Sequence, residues 1–233
     1  MEANVALPAA LIGDPVRAAM LLALYDGRAL PATQLAWTAG VSPQAASNHL
    51  AKLAEGGLVV VTRQGRHRYY RLAGPDVAQA LEALSRLTPT LKALDAPLSP
   101  KARRLREART CYDHLAGRLG VALADALERE GLIAAEEAER YRLTPAGEAR
   151  LAGLGVDLSG VRPGPRGLAR PCLDWTERRR HLAGPLAARL LTRFFELGWL
   201  ERGQENRAAV LTSTGRAGLR EAFGIELSEA AAA

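Results

Sequence analysis

Gln44, Ser47, Asn48 and Lys52 fall at spacings that place them on one side of a helix, and each carries a head group able to read or hold a nucleic acid. Gln and Asn can pair bidentately with adenine, Ser meets donor or acceptor base edges, and Lys meets a phosphate or guanine. A second group, Arg63, Arg66, His67 and Arg68, is crowded into a short stretch and would neutralise phosphates, each contact steepening the salt dependence of binding. A third set differs in kind: Cys111 with His114, and Cys172 with His181, are four soft or borderline ligands. Brought together, they could form a Cys2His2 zinc centre, an oxidant-responsive thiol pair or a haem ligand. Taken singly, a cysteine is often a small buried hydrophobe, and a histidine at a helix start often satisfies a backbone group.

The first two groups need a particular scaffold. A helix opens at Asp14-Pro15, a second surrounds Gln34-Leu35-Ala36, a turn lies at Gly40-Val41, and a third helix runs from Ser42 to Glu55. Within the third, Ala46, Leu50 and Leu53 form an i, i+4, i+7 stripe that packs inward and turns Gln44, Ser47, Asn48, Ala51 and Lys52 outward. Ser42 is a good N-cap, Pro43 suits the first helical position, and Gly56-Gly57 ends the helix. The β-branched run Leu58 to Arg63, a turn at Gln64-Gly65 and a returning strand His67 to Leu72 then make a basic hairpin. That order predicts a winged helix-turn-helix binding duplex DNA. A solvated charged hairpin, or a protein-interaction module that kept the fold and lost DNA, is the competing reading.

The segments Gly13-Asp14-Pro15-Val16-Arg17, Gln34-Leu35-Ala36, Val41 through Leu53, Gly57-Leu58-Val59 and Gly65 through Leu72 resemble, in order, the ArsR family of bacterial winged-helix regulators. The resemblance covers roughly the first two fifths of the chain and implies a homodimer on a near-palindromic operator, usually a repressor released by an effector. Within it, Ser42, Gln44, Ser47, Asn48 and His49 match the groove-facing stretch, and Arg66 and Arg68 match the wing. The same comparison removes the family's familiar metal ligands. Thr33 to Thr38 contains no Cys, and Pro75 to Leu87, the expected dimer helix, offers only Asp76 and Glu82 with no His.

A formal charge of +6 favours a polyanionic partner, and 48% hydrophobic residues suffice for a core. Aromatic residues at 5% argue against stacking platforms for single strands. Two cysteines far apart make no disulfide framework, so a reducing cytoplasm is the expected setting. The apolar stretch Ala18 to Tyr25 is far short of the roughly 20 residues a membrane span needs, so no membrane partner is expected. No oxyanion donors or ordered triad accompany the cysteines, and an enzyme is not expected.

Past Thr88-Pro89-Thr90 and Leu98-Ser99-Pro100 comes the basic run Lys101 to Arg106 and then an internal repeat. His114-Leu115-Ala116-Gly117 recurs as His181-Leu182-Ala183-Gly184, Gly131-Leu132 is answered by Gly198-Trp199, Leu143-Thr144-Pro145-Ala146-Gly147 by Leu211-Thr212-Ser213-Thr214-Gly215, and Gly155-Val156-Asp157-Leu158 by Gly224-Ile225-Glu226-Leu227. Leu115-Ala116 with Gly120-Val121 parallels Leu35-Ala36 with Gly40-Val41, which predicts two degenerate winged-helix-like repeats whose third helix has lost nearly two turns. The expected organisation is therefore mainly α with small β-hairpin wings: a DNA-binding and dimerisation domain over 1–97, then repeats over 98–165 and 166–233, used for a small-molecule or redox effector or for protein contacts. No cofactor is predicted outright, zinc and haem being the groups the Cys/His set would take. Cys111 and His114 would share a helix face, and Asp113 and Asp174 would cap helices. Glu177 to Arg180 would lie exposed or hold an anionic effector. Trp175, Phe194, Phe195 and Trp199 would form core or line an apolar pocket.

Overall fold

The computed structural model describes residues 4–65, 67–87, 100–136, 139–164, 167–203 and 207–227. The chain divides into two units, 1–87 and 88–233. Each is mainly helical with small antiparallel hairpins, and among the described residues no single helix is long and apolar enough to cross a membrane.

The first unit runs α1 (Ala6–Ile12), α2 (Pro15–Ala23), β1 (Leu30–Pro31), α3 (Ala32–Ala39), α4 (Pro43–Glu55), β2 (Val59–Gln64), β3 (His67–Leu72) and α5 (Pro75–Leu87). Asp14 opens α2 by accepting the Arg17 backbone N–H at 2.9 Å. The Arg17 guanidinium turns back to donate to the Leu11 and Ala10 carbonyls, which have no intrahelical partners at the end of α1. The α3–α4 turn rests on Gly40, whose φ of +65° suits a residue without Cβ. Leu21, Leu35, Leu50 and Leu53 are wholly buried and form the seam of α2, α3 and α4. Strands β2 and β3 pair from Val59↔Leu72 to Gln64↔His67, and β1 joins the other side of β3, giving sheet order β1-β3-β2.

The second unit opens with α6 (Pro100–Glu107) and then runs one element order twice. The first pass is β4 (Arg109–Cys111), β5 (His114–Ala116), α7 (Arg118–Arg129), β6 (Ile133–Glu136), β7 (Arg140–Leu143) and α8 (Pro145–Gly153). The second is β8 (Arg170–Leu173), β9 (Arg180–Ala183), α9 (Pro185–Glu196), β10 (Leu200–Arg202), β11 (Ala209–Leu211) and α10 (Ser213–Phe223). Equivalent residues do the same work. Thr144 and Thr212 cap α8 and α10, accept the Gly147 and Gly215 N–H groups, and donate to the Gly131 and Gly198 carbonyls at 2.7 Å. A Cβ on Gly147 or Gly215 would strike the Leu132 or Trp199 carbonyl, which accounts for glycine at both sites.

The expected helix-turn-helix parallel does not hold at the start of each pass. Leu115-Ala116 is strand, and Gly120-Val121 lies inside α7, because Gly117 with φ +81° marks the entry to the helix. The helix has therefore not shrunk by two turns: α7 has 12 residues against 13 in α4. From there the likeness returns, since Leu123 and Leu127 are buried as Leu50 and Leu53 are, and a left-handed glycine precedes a buried leucine and a hairpin.

The two passes are interwoven. Helix α7 packs on β9 and α9 on β5, so each hairpin is covered by the other pass's helix as well as its own. Arg109 bridges to Ala208 beside β11, and Tyr141 in β7 bridges to Ala169 ahead of β8. One core, including Leu119, Leu127, Leu151, Leu186, Leu190 and Phe223, draws on both. Phe194 stacks on Trp199 at 5.3 Å within it, while Phe195 is half-buried and Trp175 is exposed over Arg109.

Candidate functional site

Helix α4 exposes Gln44, Ser47, Asn48, Ala51 and Lys52 along the side opposite Ala46, Leu50 and Leu53, all three at 0% exposure. Ser42 Oγ accepts the Ala45 N–H at 3.2 Å, and Pro43 takes the first helical position, where a missing N–H costs nothing. Ser47 Oγ donates to the Pro43 carbonyl at 2.9 Å, which leaves its lone pairs outward. His49 is placed differently from the other groove candidates: it is half-buried, with Nδ1 3.6 Å from Asp14 Oδ1. The Arg17 backbone N–H holds the Asp14 carboxyl below its ordinary value against partial desolvation, with the Arg17 and His49 charges adding to the lowering. In the wing, Arg63, His67 and Arg68 are exposed. Arg66 lies outside the described residues. Arg63 and Arg68 are register partners, like charges directly across a strand pair, an arrangement unfavourable without an anion nearby.

The four Cys and His residues converge. Their ligand atoms all lie within 4.8 Å of one another, and all four side chains are buried. The expected shared helix face is replaced by a shared strand pair: Cys111 faces His114 in the β4–β5 register, and Cys172 faces His181 in β8–β9. The two hairpins meet so that His114 Nε2 is 3.2 Å from His181 Nε2. A Cβ on Gly120 would come within 2.6 Å of the Leu115 carbonyl oxygen, so glycine there lets α7 lie close against β5. No disulfide joins Cys111 to Cys172.

Neither aspartate is a helix cap as expected. Asp113 sits in the β4–β5 turn with Oδ1 3.0 Å from His114 Nδ1. Asp174 is wholly buried, with Oδ2 3.4 Å from His181 Nδ1. It also takes the Arg109 guanidinium at 2.8 Å, the Gly117 N–H at 2.7 Å, and the Thr176 hydroxyl and N–H. Burial alone would raise the Asp174 carboxyl, but the His181 imidazole 3.4 Å away, the Arg109 charge and the remaining donors hold it far below the carboxylate range. Burial disfavours a charged His114, yet the Cys111 charge and Asp113 outweigh it and push His114 up to about 9. A hydrogen bond from Cys172, then His114 and His181, holds the Cys111 thiol well below its ordinary value against desolvation. Sequence reasoning missed Arg109 and Asp174 as a buried pair, because 65 residues separate them and no local pattern links them.

The Glu177 to Arg180 run is largely occupied within the unit. Arg106 Nε donates to Glu177 at 2.8 Å, Arg179 reaches both Asp125 oxygens at 2.9 and 2.8 Å, and Arg180 lies 3.6 Å from Glu139.

The chain is similar to known regulators over both units. Residues 12–62 match a helix-turn-helix domain family. The uncharacterized HTH-type transcriptional regulator YdfF of Bacillus subtilis is 39% identical over 227 residues, 97% of this chain and 100% of that protein. The arsenic resistance transcriptional regulator ArsR1 of Pseudomonas putida is 35% identical over 96 residues, 41% of this chain and 73% of its own length. The HTH-type transcriptional regulator CmtR of Mycobacterium tuberculosis is 44% identical over 73 residues, 31% of this chain and 61% of its own. With the capped α4, the basic hairpin after it and these matches in agreement, the chain belongs to the ArsR family of winged helix-turn-helix transcriptional regulators.

Proposed function

We propose that the protein is a homodimeric, sequence-specific repressor that binds a near-palindromic duplex operator through two copies of α4 and the wing, and leaves it when an effector acts on the second unit. The observation that carries this reading is the division of α4 into a wholly buried apolar stripe and an exposed row of Gln44, Ser47, Asn48 and Lys52 beside the Arg63–Arg68 pair. Such a row suits base edges, and the arginines suit phosphates. Support for a twofold partner comes from α5, where Leu84 and Leu87 stay exposed, the latter at 77%. Release would require the effector to prefer one dimer geometry, and the coupling free energy is the difference in its affinity for the two. The two reduced, buried cysteines fit a cytoplasmic setting.

The test is binding of the purified protein to its own upstream region. Retardation of that duplex at salt concentrations where random duplex is released, with one dimer per site, supports the reading. No retardation at low salt would leave only an interaction module.

A second reading, in which the regulator responds to metal or to thiol oxidation, is favoured by the convergence of Cys111, His114, Cys172 and His181.

A further inference from the structure

The geometry points to a four-coordinate zinc centre formed by Cys111 Sγ, His114 Nε2, Cys172 Sγ and His181 Nε2, acting as a clamp between the two passes of the second unit. This deepens the metal reading of the same cluster and is independent of the DNA reading.

The first argument is spacing. Zinc–nitrogen bonds of about 2.0–2.1 Å put two nitrogens of a tetrahedral ion about 3.3–3.4 Å apart. The two Nε2 atoms stand at 3.2 Å already, with both sulfurs inside the same 4.8 Å cluster. Small side-chain adjustments would complete the shell without moving either hairpin.

The second argument is the direction of the lone pairs. Asp113 engages His114 Nδ1, and Asp174 faces His181 Nδ1. A carboxylate against Nδ1 favours the proton on that nitrogen, so in the neutral rings that a metal takes Nε2 is the lone-pair atom on both. Two buried lone pairs aimed at each other repel unless a proton or a cation lies between them. Carboxylates behind both histidines are the arrangement that orients imidazoles toward a metal and strengthens them as donors.

The third argument is the donor set. Two thiolates and two imidazoles suit a borderline d10 ion at tetrahedral geometry. With four protein ligands the shell is closed, which fits a structural ion and leaves no open position for hydrolysis. Haem fits less well, because a porphyrin brings four in-plane donors of its own and accepts only axial partners, whereas four protein donors converge on one point here.

One ligand pair comes from each pass, so the ion would join hairpins 67 residues apart in sequence at the place where β5 meets β9. Binding would therefore be linked to folding of the whole second unit.

The test uses the full chain and no DNA. Elemental analysis of protein purified without chelator should give about one zinc per chain. Cobalt(II) exchanged into the unmodified protein should give the intense visible absorption of a tetrahedral ion together with thiolate-to-cobalt charge transfer. The charge-transfer band should weaken in Cys111→Ser and again in the Cys111→Ser/Cys172→Ser double variant. Stripping zinc should lower the melting temperature of the unmodified protein by about 5 °C or more. Zinc retained at full occupancy by the double variant would overturn the assignment, as would a weak six-coordinate cobalt spectrum. A reduced protein that takes up neither ion, and instead forms a Cys111–Cys172 disulfide in air, would overturn it too. Failure to retard the duplex in the separate binding experiment, with the cobalt spectrum intact, would count against the DNA reading alone.

Discussion

Arg63 and Arg68 face each other across the wing as direct register partners, both exposed. A like-charged cross-strand pair destabilises an isolated hairpin, so the arrangement makes sense where a polyanion neutralises it. Arg68→Ala should therefore weaken binding to every duplex alike and lower the slope of log affinity against log salt by about one. The melting temperature should hold or rise slightly. Anisotropy titrations over a salt series check the first point, and calorimetry the second. An unchanged slope would remove the wing from the phosphate backbone.

Asn48 and Gln44 should behave oppositely. Each is exposed on α4 and carries no charge, so alanine there should cost about 1–3 kcal/mol on the cognate duplex and little on random duplex. Competition binding with single-base variants of the operator should show relaxed choice at one position per half-site. Equal losses on cognate and random DNA would defeat the groove assignment.

This much was legible because α4 is marked locally, by Ser42-Pro43 at one end, Gly56-Gly57 at the other and the Ala46/Leu50/Leu53 stripe between. His49 shows the limit. The family resemblance places it in the groove-facing stretch, but its contact with Asp14 depends on how α2 crosses α4. In the second unit, spacing in the sequence points to two matched segments and to Cys111, His114, Cys172 and His181 as a set, but it suggests a shared helix face where the structure has strand. Cys111 and His114 are three apart, which suits one helical turn as well as a tight hairpin, and Tyr112 at φ +58° is an uncommon turn residue that gave no hairpin signal.

Asp174→Asn should be the most damaging polar substitution in the second unit. Arg109 is 1% exposed and Asp174 0%, and their 2.8 Å contact is backed by four further donors to the carboxylate. Removing one charge strands the other, a loss of about 3–5 kcal/mol by comparison with other buried pairs. Urea unfolding measures it, and a change below about 1 kcal/mol would mean that water reaches the site.

Tyr141 gives a pH signature distant from the cluster. Burial, and then its 2.6 Å hydrogen bond donated to Glu128, push its phenol up to about 12 from an ordinary 10. The neutral phenol is thus favoured in the folded state. Its stabilising contribution should be constant below pH 10 and fade as pH rises through 12. Phenolate absorbance should show one late-titrating tyrosine that disappears in Tyr141→Phe. A single common titration of all tyrosines would contradict the assignment.

The crossing of α7 onto β9 and of α9 onto β5 makes the two passes inseparable as folding units. A protease cut engineered at Gly160, in the turn between them, should yield fragments that remain bound through denaturant levels close to the unfolding midpoint. A lone half-length fragment would expose the apolar side of its hairpin and should recruit a second copy of itself.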